Sequence, residues 1–205
     1  MFFVGGRPQA DDVLALGEAG VTHIISCLPE QERNAMAFLA TDFNHMFVPL
    51  HDGIHADISS AFPSAFDFVR EAQATCASAK VLVHCQVGVS RSAALTIAML
   101  MKSSGESFFD TFMGVRARRP EVLPNIGFAS QLQHLEHAMS PSNRAPASAN
   151  ASYSSLTRYL REVCKVPAKM ELIEEYLQRH DYNAPQAIRA MFGNEIPRVV
   201  QGVRL

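Results

Sequence analysis

The stretch "VLVHCQVGVSRSAALTIAML", residues 81–100, runs from a short apolar segment into His84 and Cys85, through a loop, and out at Arg91 into an apolar helical pattern. Val81, Leu82 and Val83 have the uninterrupted, β-branched character of a strand buried on both faces. From Arg91 onward the chain is apolar nearly all round, as in a buried helix, until Gly105 stops it. A thiol therefore stands at the mouth of a tight loop aimed at a helix N-terminus. Backbone N–H groups in such a loop (Gln86, Val87, Gly88, Val89 and Ser90) converge into an anion-binding nest that the helix dipole reinforces. Gly88 supplies the freedom in φ that so concave a turn needs. Arg91 offers a planar fork that grips two oxygens of a phosphate. The same field stabilises negative charge on Cys85 and lowers its pKa below that of a free thiol. A thiolate at the base of a phosphate cradle is placed for in-line attack on phosphorus.

Working outward, "VTHIISC" (21–27), "HMFVPL" (45–50) and "KVLVH" (80–84) read as strands of a buried sheet, and "FFVGG" near the start as another. Between them lie helical patterns over 9–20 and 59–79. The second has serines at its start and Phe62, Phe66, Val69 and Ala72 on one face. Helices also fit 90–104, 106–118 and 125–139. Alternating strands and helices predict an α/β sheet domain. The segment "SPSNRAPASANAS" (140–152) is rich in Pro, Ser and Ala and reads as a linker. Beyond it, 153–205 carries short helical patterns and is near the lower size limit for an independent fold.

With 205 residues and 48% hydrophobic composition, the chain can bury one full core and a small second unit. The net charge of −2 supplies no basic field for nucleic acid or anionic membrane. No segment has the character of a signal peptide or a membrane span. The four cysteines, Cys27, Cys76, Cys85 and Cys164, lie far apart without CxxC spacing. That predicts neither a disulfide framework nor a metal site, and suits a reducing compartment, the cytoplasm or the nucleus.

"HCQVGVSRS" resembles the signature of the cysteine-dependent protein phosphatases, and its SRS ending resembles the dual-specificity branch. The resemblance extends over about 1–139, through "FFVGGRPQADDVLALGEAGVTHIIS" and "RRPEVLPNIGFASQLQHLE". It implies an α/β fold with a central mixed sheet flanked by helices, no metal or other cofactor, and a phosphocysteine intermediate. It also implies a general acid, which in this branch is an aspartate on the loop before the long helix. Asp52, in "VPLHDGIHADIS", occupies that place; Asp57 is the second candidate and matches better the residue that caps the long helix. By the same resemblance Ser92 helps the thiolate leave in the second step. His84 braces the loop and Asn125 supports it. In several relatives a cysteine placed like Cys27, at the end of its strand, approaches the nucleophile from behind as a redox partner; a small buried residue packing the sheet edge is the alternative.

Arg116, Arg118 and Arg119 form a basic cluster that reads as a solvated helix end, with an acidic substrate as the alternative. The short N-terminal part leaves no room for the kinase-docking domain of some relatives. The absence of a pocket-deepening insertion implies a shallow site open to phosphotyrosine and phosphoserine/threonine alike. The loop also lacks the extra lysines of phosphoinositide-directed relatives. The implied partners are phosphoproteins. The same chemistry on a lipid or RNA phosphate, and a phosphoprotein-binding pseudophosphatase, are the alternatives.

The segment "KVPAKMELIEEYLQRHDYNAPQAIRAMFGNEIP" resembles the UBA-like three-helix domain that ends the nuclear mRNA-export receptors, except that Lys165-Val166 replace a Gly-Met loop. This resemblance implies binding of ubiquitin or a short hydrophobic peptide by 153–205; a helical lid or a dimerisation element are the alternatives.

Overall fold

The computed structural model describes residues 1–139 and 153–193. Four strands, β1 (Phe2–Gly5), β2 (His23–Leu28), β3 (Asn44–Pro49) and β4 (Val81–His84), form one sheet in the order β1-β4-β2-β3. Every pairing is parallel. The mixed sheet expected from the family resemblance is thus corrected to a parallel one. Each of the first three strands is followed by a helical crossover, which returns the chain to the same end of the sheet so that the next strand runs in the same direction. β2 lies between β4 and β3 and is buried along its whole length, as its "HIISCL" run requires.

Strand alternation divides the core. Ile24, Leu28 and Leu82 join Val21, Met36, Leu39 and Phe43 in a cluster on one face. Ile25, Cys27, Val81, Val83 and Cys85 join the larger cluster on the other. The first face is covered by α1 (Val13–Glu18) and the short turns that follow β2. The second carries α2 (Phe62–Thr75), α3 (Arg91–Ser104), α4 (Phe108–Arg118) and α5 (Ile126–Met139). On α2 the buried positions are Phe62, Ala65, Val69 and Ala72, with Phe66 half-buried at the margin. α3 is buried through nearly all its length and closes at Gly105 in the left-handed region, φ +73°.

Beyond the segment 140–152, which lies outside the described residues, α6 (Ser155–Arg158) continues into a π turn (Tyr159–Val163). It is followed by α7 (Met170–Arg179) and α8 (Ala184–Phe192). Sequence composition separates this unit from 1–139; packing joins them. Leu156, Tyr159, Leu160, Ile173, Leu177, Ala187 and Ile188 belong to the same apolar cluster as α3, α4 and α5. Helices of 10 and 9 residues bury too little surface to stand alone, and here α8 packs on α5 and α7 on α8 and α6. Polar contacts fix the docking: Gln133 Oε1 accepts from Leu156 N at 2.8 Å, and Ser130 Oγ from Ala184 N at 2.9 Å. Among the described residues no helix is long and apolar enough to cross a membrane.

Candidate active site

The carboxyl ends of the parallel strands set the floor of the site, where an open α/β sheet presents its loops. Cys85 follows β4 directly and is buried. The loop from Cys85 to Arg91 then wraps back over its sulfur. Its carbonyls are pinned outward one after another. Arg7 N donates to Gln86 O at 3.3 Å, the Arg119 guanidinium to Val87 O at 3.3 Å and Gly88 O at 3.1 Å, and Leu123 N to Val89 O at 2.9 Å. In a planar trans peptide the N–H points opposite to the C=O, so each pinned carbonyl turns the next residue's N–H inward. Gly88 N–H accordingly donates to Cys85 Sγ at 3.3 Å. This external clamping is the physical origin of the nest.

Gly88 has φ +79°, and a β-carbon there would lie 2.4 Å from Gly5 C. The loop leans against the end of β1, where Gly5 O accepts from Cys85 N at 3.4 Å. Glycine is needed at 88 for both conformation and space.

The Ser92 hydroxyl donates to Cys85 Sγ at 3.3 Å. Burial alone pushes the Cys85 thiol up. Hydrogen bonds from the Ser92 side chain and from the N–H groups of Ser92, Gly88 and Val87 outweigh it, and the net shift is downward. His84 is fully buried and pushed down to about 4, chiefly by burial, so it is neutral at physiological pH. Its Nδ1 faces Cys85 O at 3.4 Å and its Nε2 meets Ser26 Oγ at 2.6 Å; the same hydroxyl meets His45 Nε2 at 2.7 Å. The string Cys85–His84–Ser26–His45 locks the base of the loop to β2 and β3.

The Asp52 carboxylate stands opposite. Asp52 Oδ1 accepts from Ser90 Oγ at 2.7 Å and from Asn125 Nδ2 at 2.9 Å, and Oδ2 lies 3.9 Å from Arg91 Nε. Arg91 is buried, donates to Leu50 O at 3.3 Å, and holds Nε without a hydrogen bond among the described residues. That donor is free to bind an anionic oxygen such as a phosphate's. Cys85, Arg91, Ser92, Ser90, Asp52 and Asn125 are thus brought together. Asp57 sits apart at the start of α2. It accepts from Ser59 Oγ and Ser60 N, and the Ser59 hydroxyl foremost holds its carboxyl below the usual range.

Several contributors escape a reading of local sequence. Arg119, expected at a solvated helix end with Arg116 and Arg118, is instead turned onto the phosphate loop. Gln131 clamps the acid loop, its Oε1 accepting from Ile58 N and Ser59 N and its Nε2 donating to Ala56 O, all within 2.9 Å. Gly127 lets that loop rest on α5, since a β-carbon there would lie 1.9 Å from Ile54 O. Nothing in the local sequence of α5, "IGFASQLQHLEHAM", marks Gly127 or Gln131 for these roles.

Cys27 is buried beside β4. Ser26 pairs with His84, so the next step along the two strands sets Cys27 against Cys85, on the opposite face from the Ser26–His84 contact. Burial pushes its thiol up, and the negative charge of Cys85 adds to that rise.

The family model for the dual specificity phosphatase catalytic domain matches residues 2–138. Dual specificity protein phosphatase Mpk3 of Drosophila melanogaster is 35% identical over 136 residues, covering 66% of this chain and 32% of that protein. Human dual specificity protein phosphatase 5 is 37% identical over 146 residues, 68% of this chain and 36% of that one. The chain thus spans about a third of the length of these curated relatives. Among solved structures, human tyrosine phosphatase-like serine/threonine/tyrosine-interacting protein superposes with a TM-score of 0.61 at 31% identity, covering 67% of this chain and 91% of that one. Human DUSP28 gives 0.60 at 31%, covering 68% and 90%. A cysteine whose thiol is shifted toward ionisation under an arginine-closed loop, with an aspartate opposite, is carried here on the sheet that these relatives share, and the chain belongs to the dual specificity phosphatase family.

Proposed function

We propose that this chain is a dual-specificity protein phosphatase that hydrolyses phosphotyrosine and phosphoserine/threonine through a phosphocysteine intermediate. The observation that carries the reading is the Cys85 sulfur, held by Gly88 N–H and Ser92 Oγ at 3.3 Å each within the loop that Arg91 closes. The Cys85 thiolate attacks phosphorus, and the S–P bond forms as the P–O bond breaks. Asp52 gives its proton to the departing oxygen through Oδ2, because Oδ1 is occupied by Ser90 and Asn125. In the second step Asp52 takes a proton from water, the water oxygen bonds to phosphorus, and the S–P bond breaks. The Ser92 hydroxyl then donates to the returning thiolate.

Loop residues 86–90 are uncharged and Arg119 is engaged with their carbonyls, which favours protein phosphomonoesters over the polyanionic phosphates of lipid or RNA. Retention of the thiol with a lowered pKa favours turnover over phosphoprotein binding alone. A working thiolate needs reducing surroundings, the cytoplasm or nucleus. Binding of ubiquitin or a hydrophobic peptide by the C-terminal helices would need another surface than the buried Ala184, Ala187 and Ile188 of α8.

Substitution supplies the test. Cys85→Ser abolishes turnover of aryl phosphates and phosphopeptides while retaining phosphate binding. Asp52→Ala lowers kcat/KM by about 10²–10⁴-fold on alkyl phosphates and far less on aryl phosphates with good leaving groups. Residual turnover in Cys85→Ser, or a larger defect in Asp57→Ala than in Asp52→Ala, overturns the assignment.

A redox role for Cys27 is part of the same proposal. Adjacent parallel strands lie about 4.8 Å apart, within the roughly 4.4–6.8 Å span of disulfide Cα atoms. Hydrogen peroxide oxidises the Cys85 thiolate to a sulfenic acid and is itself reduced to hydroxide. The Cys27 thiol then displaces water to form a disulfide, which a dithiol reopens. Peptide mapping after mild peroxide should recover a Cys27–Cys85 crosslink; wild-type recovery of activity by Cys27→Ser after reduction would exclude a resolving role.

A further inference from the structure

The C-terminal helices touch the catalytic machinery through Tyr159. Its ring is fully buried against Phe108 and Phe112, with ring centroids 5.4 and 5.0 Å away. Its hydroxyl donates to the carbonyl of Pro124 at 2.5 Å. Burial pushes the phenol well up, so it stays a donor throughout the physiological range.

Pro124 C=O and Asn125 N–H belong to one planar peptide unit. That N–H donates to Ser90 Oγ at 3.1 Å, and the Ser90 hydroxyl donates to Asp52 Oδ1 at 2.7 Å. The side chain of Asn125 reaches the same carboxylate oxygen at 2.9 Å. A single hydrogen-bonded chain therefore runs from the Tyr159 hydroxyl through the 124–125 peptide and Ser90 to the carboxylate. On the other side of Pro124, Leu123 N holds Val89 O at 2.9 Å. Proline has no N–H, so its carbonyl is the one backbone group of residue 124 that can be tied down. It is tied from the C-terminal unit.

We propose that Tyr159 is a positioning residue for the general acid: through the 124–125 peptide plane it fixes Ser90 and Asn125, and these hold Asp52 facing the phosphate loop. The inference rests on the phosphatase reading above and assigns the C-terminal helices a part in the reaction. Each donor in the chain polarises the next, so removing the first weakens the grip on the last. The carboxylate then samples orientations away from the leaving oxygen, and substrates that most need its proton suffer most.

Tyr159→Phe in the full chain removes the hydroxyl and keeps the ring. The expected result is a fall in kcat/KM of about 3- to 10-fold on an alkyl phosphate, against less than about 2-fold on 4-nitrophenyl phosphate. In an Asp52→Ala background the same substitution has no further selective effect, since it acts through the missing carboxylate. Phe112→Leu loosens the same junction without touching Pro124. It serves as the stability control, with a lower Tm and an unchanged ratio between the two substrates. Equal losses on both substrates, a selective loss that survives in Asp52→Ala, or the same ratio change in Phe112→Leu would each overturn the assignment. Wild-type chain without turnover of either substrate would instead overturn the phosphatase reading and this inference together.

Discussion

The loop from Cys85 to Arg91 and the loop around Asp52 meet face to face, and they hold their shapes by different means. The first is contiguous and is held by its backbone: the carbonyls of Gln86, Val87, Gly88 and Val89 are each pinned from outside, and Gly88 is wedged against Gly5. The second is held by side chains from far along the chain, with Asn125 and Ser90 on Asp52 and Gln131 on the peptides of 56–59. Backbone clamping makes a rigid receptor whose lesions are all-or-none. Side-chain clamping leaves the acid adjustable, and its lesions scale with how much a substrate needs a proton.

The strongest way to break this contrast is Gly88→Ala. A methyl group would be forced against Gly5 at a positive φ, so the loop must open. The expected cost is on the order of 3 kcal/mol of stability with about 10²-fold or greater loss of kcat on every substrate, read by thermal unfolding and steady-state kinetics. A selective loss on alkyl phosphates alone would erase the distinction between the loops. Gln131→Ala probes the other side. It frees two N–H groups at the start of α2 and should cost about 1–2 kcal/mol. Its kinetic loss, about 3- to 10-fold, should fall on alkyl rather than aryl phosphates. Ser92→Ala has the mildest expected effect on the first step and sharpens the electrostatic half of the contrast. The Ser92 side chain is the foremost of the hydrogen bonds that lower the Cys85 thiol. Its removal disfavours the thiolate, so the pH midpoint for alkylation of Cys85 by iodoacetamide moves upward. The acidic limb of kcat/KM moves with it.

The same contrast explains what the sequence makes legible. Strand, thiol, loop, glycine, arginine and helix all lie within residues 81–104, so their order is readable from one short stretch, although Arg7, Arg119 and Leu123 clamp the loop from afar. Asp52, Asn125 and Ser92 are legible only against the family pattern, since nothing near Asp52 sets its Asp-Gly pair apart from a turn. Arg119, Gln131, Gly127 and Tyr159 were illegible because their roles exist only after distant segments meet. An arginine at a helix end looks solvated until the loop it serves arrives. The linker-like composition of 140–152 likewise suggests two independent bodies, whereas Phe108 and Phe112 of α4 pack against Tyr159 of the π turn in one shared core. The direction of the strands was also beyond local sequence, and the resemblance supplied a mixed sheet where a parallel one forms.

The pairing of β1 with β4 has a consequence for how the protein reaches this state. Phe2 pairs with Val81, and Gly5 with His84, so the first strand must wait for the fourth before it can dock. Such distant closure is slow, because chain entropy is lost before contacts return it. β2 and β3 lie closer in sequence and can pair first. The Gly5 carbonyl that receives Cys85 N, and the Arg7 N–H that turns the first loop peptide, both arrive with β1. Completion of the Cys85 loop is therefore a late event in folding, and a nascent chain carries that sulfur unshielded until its two most distant strands have met.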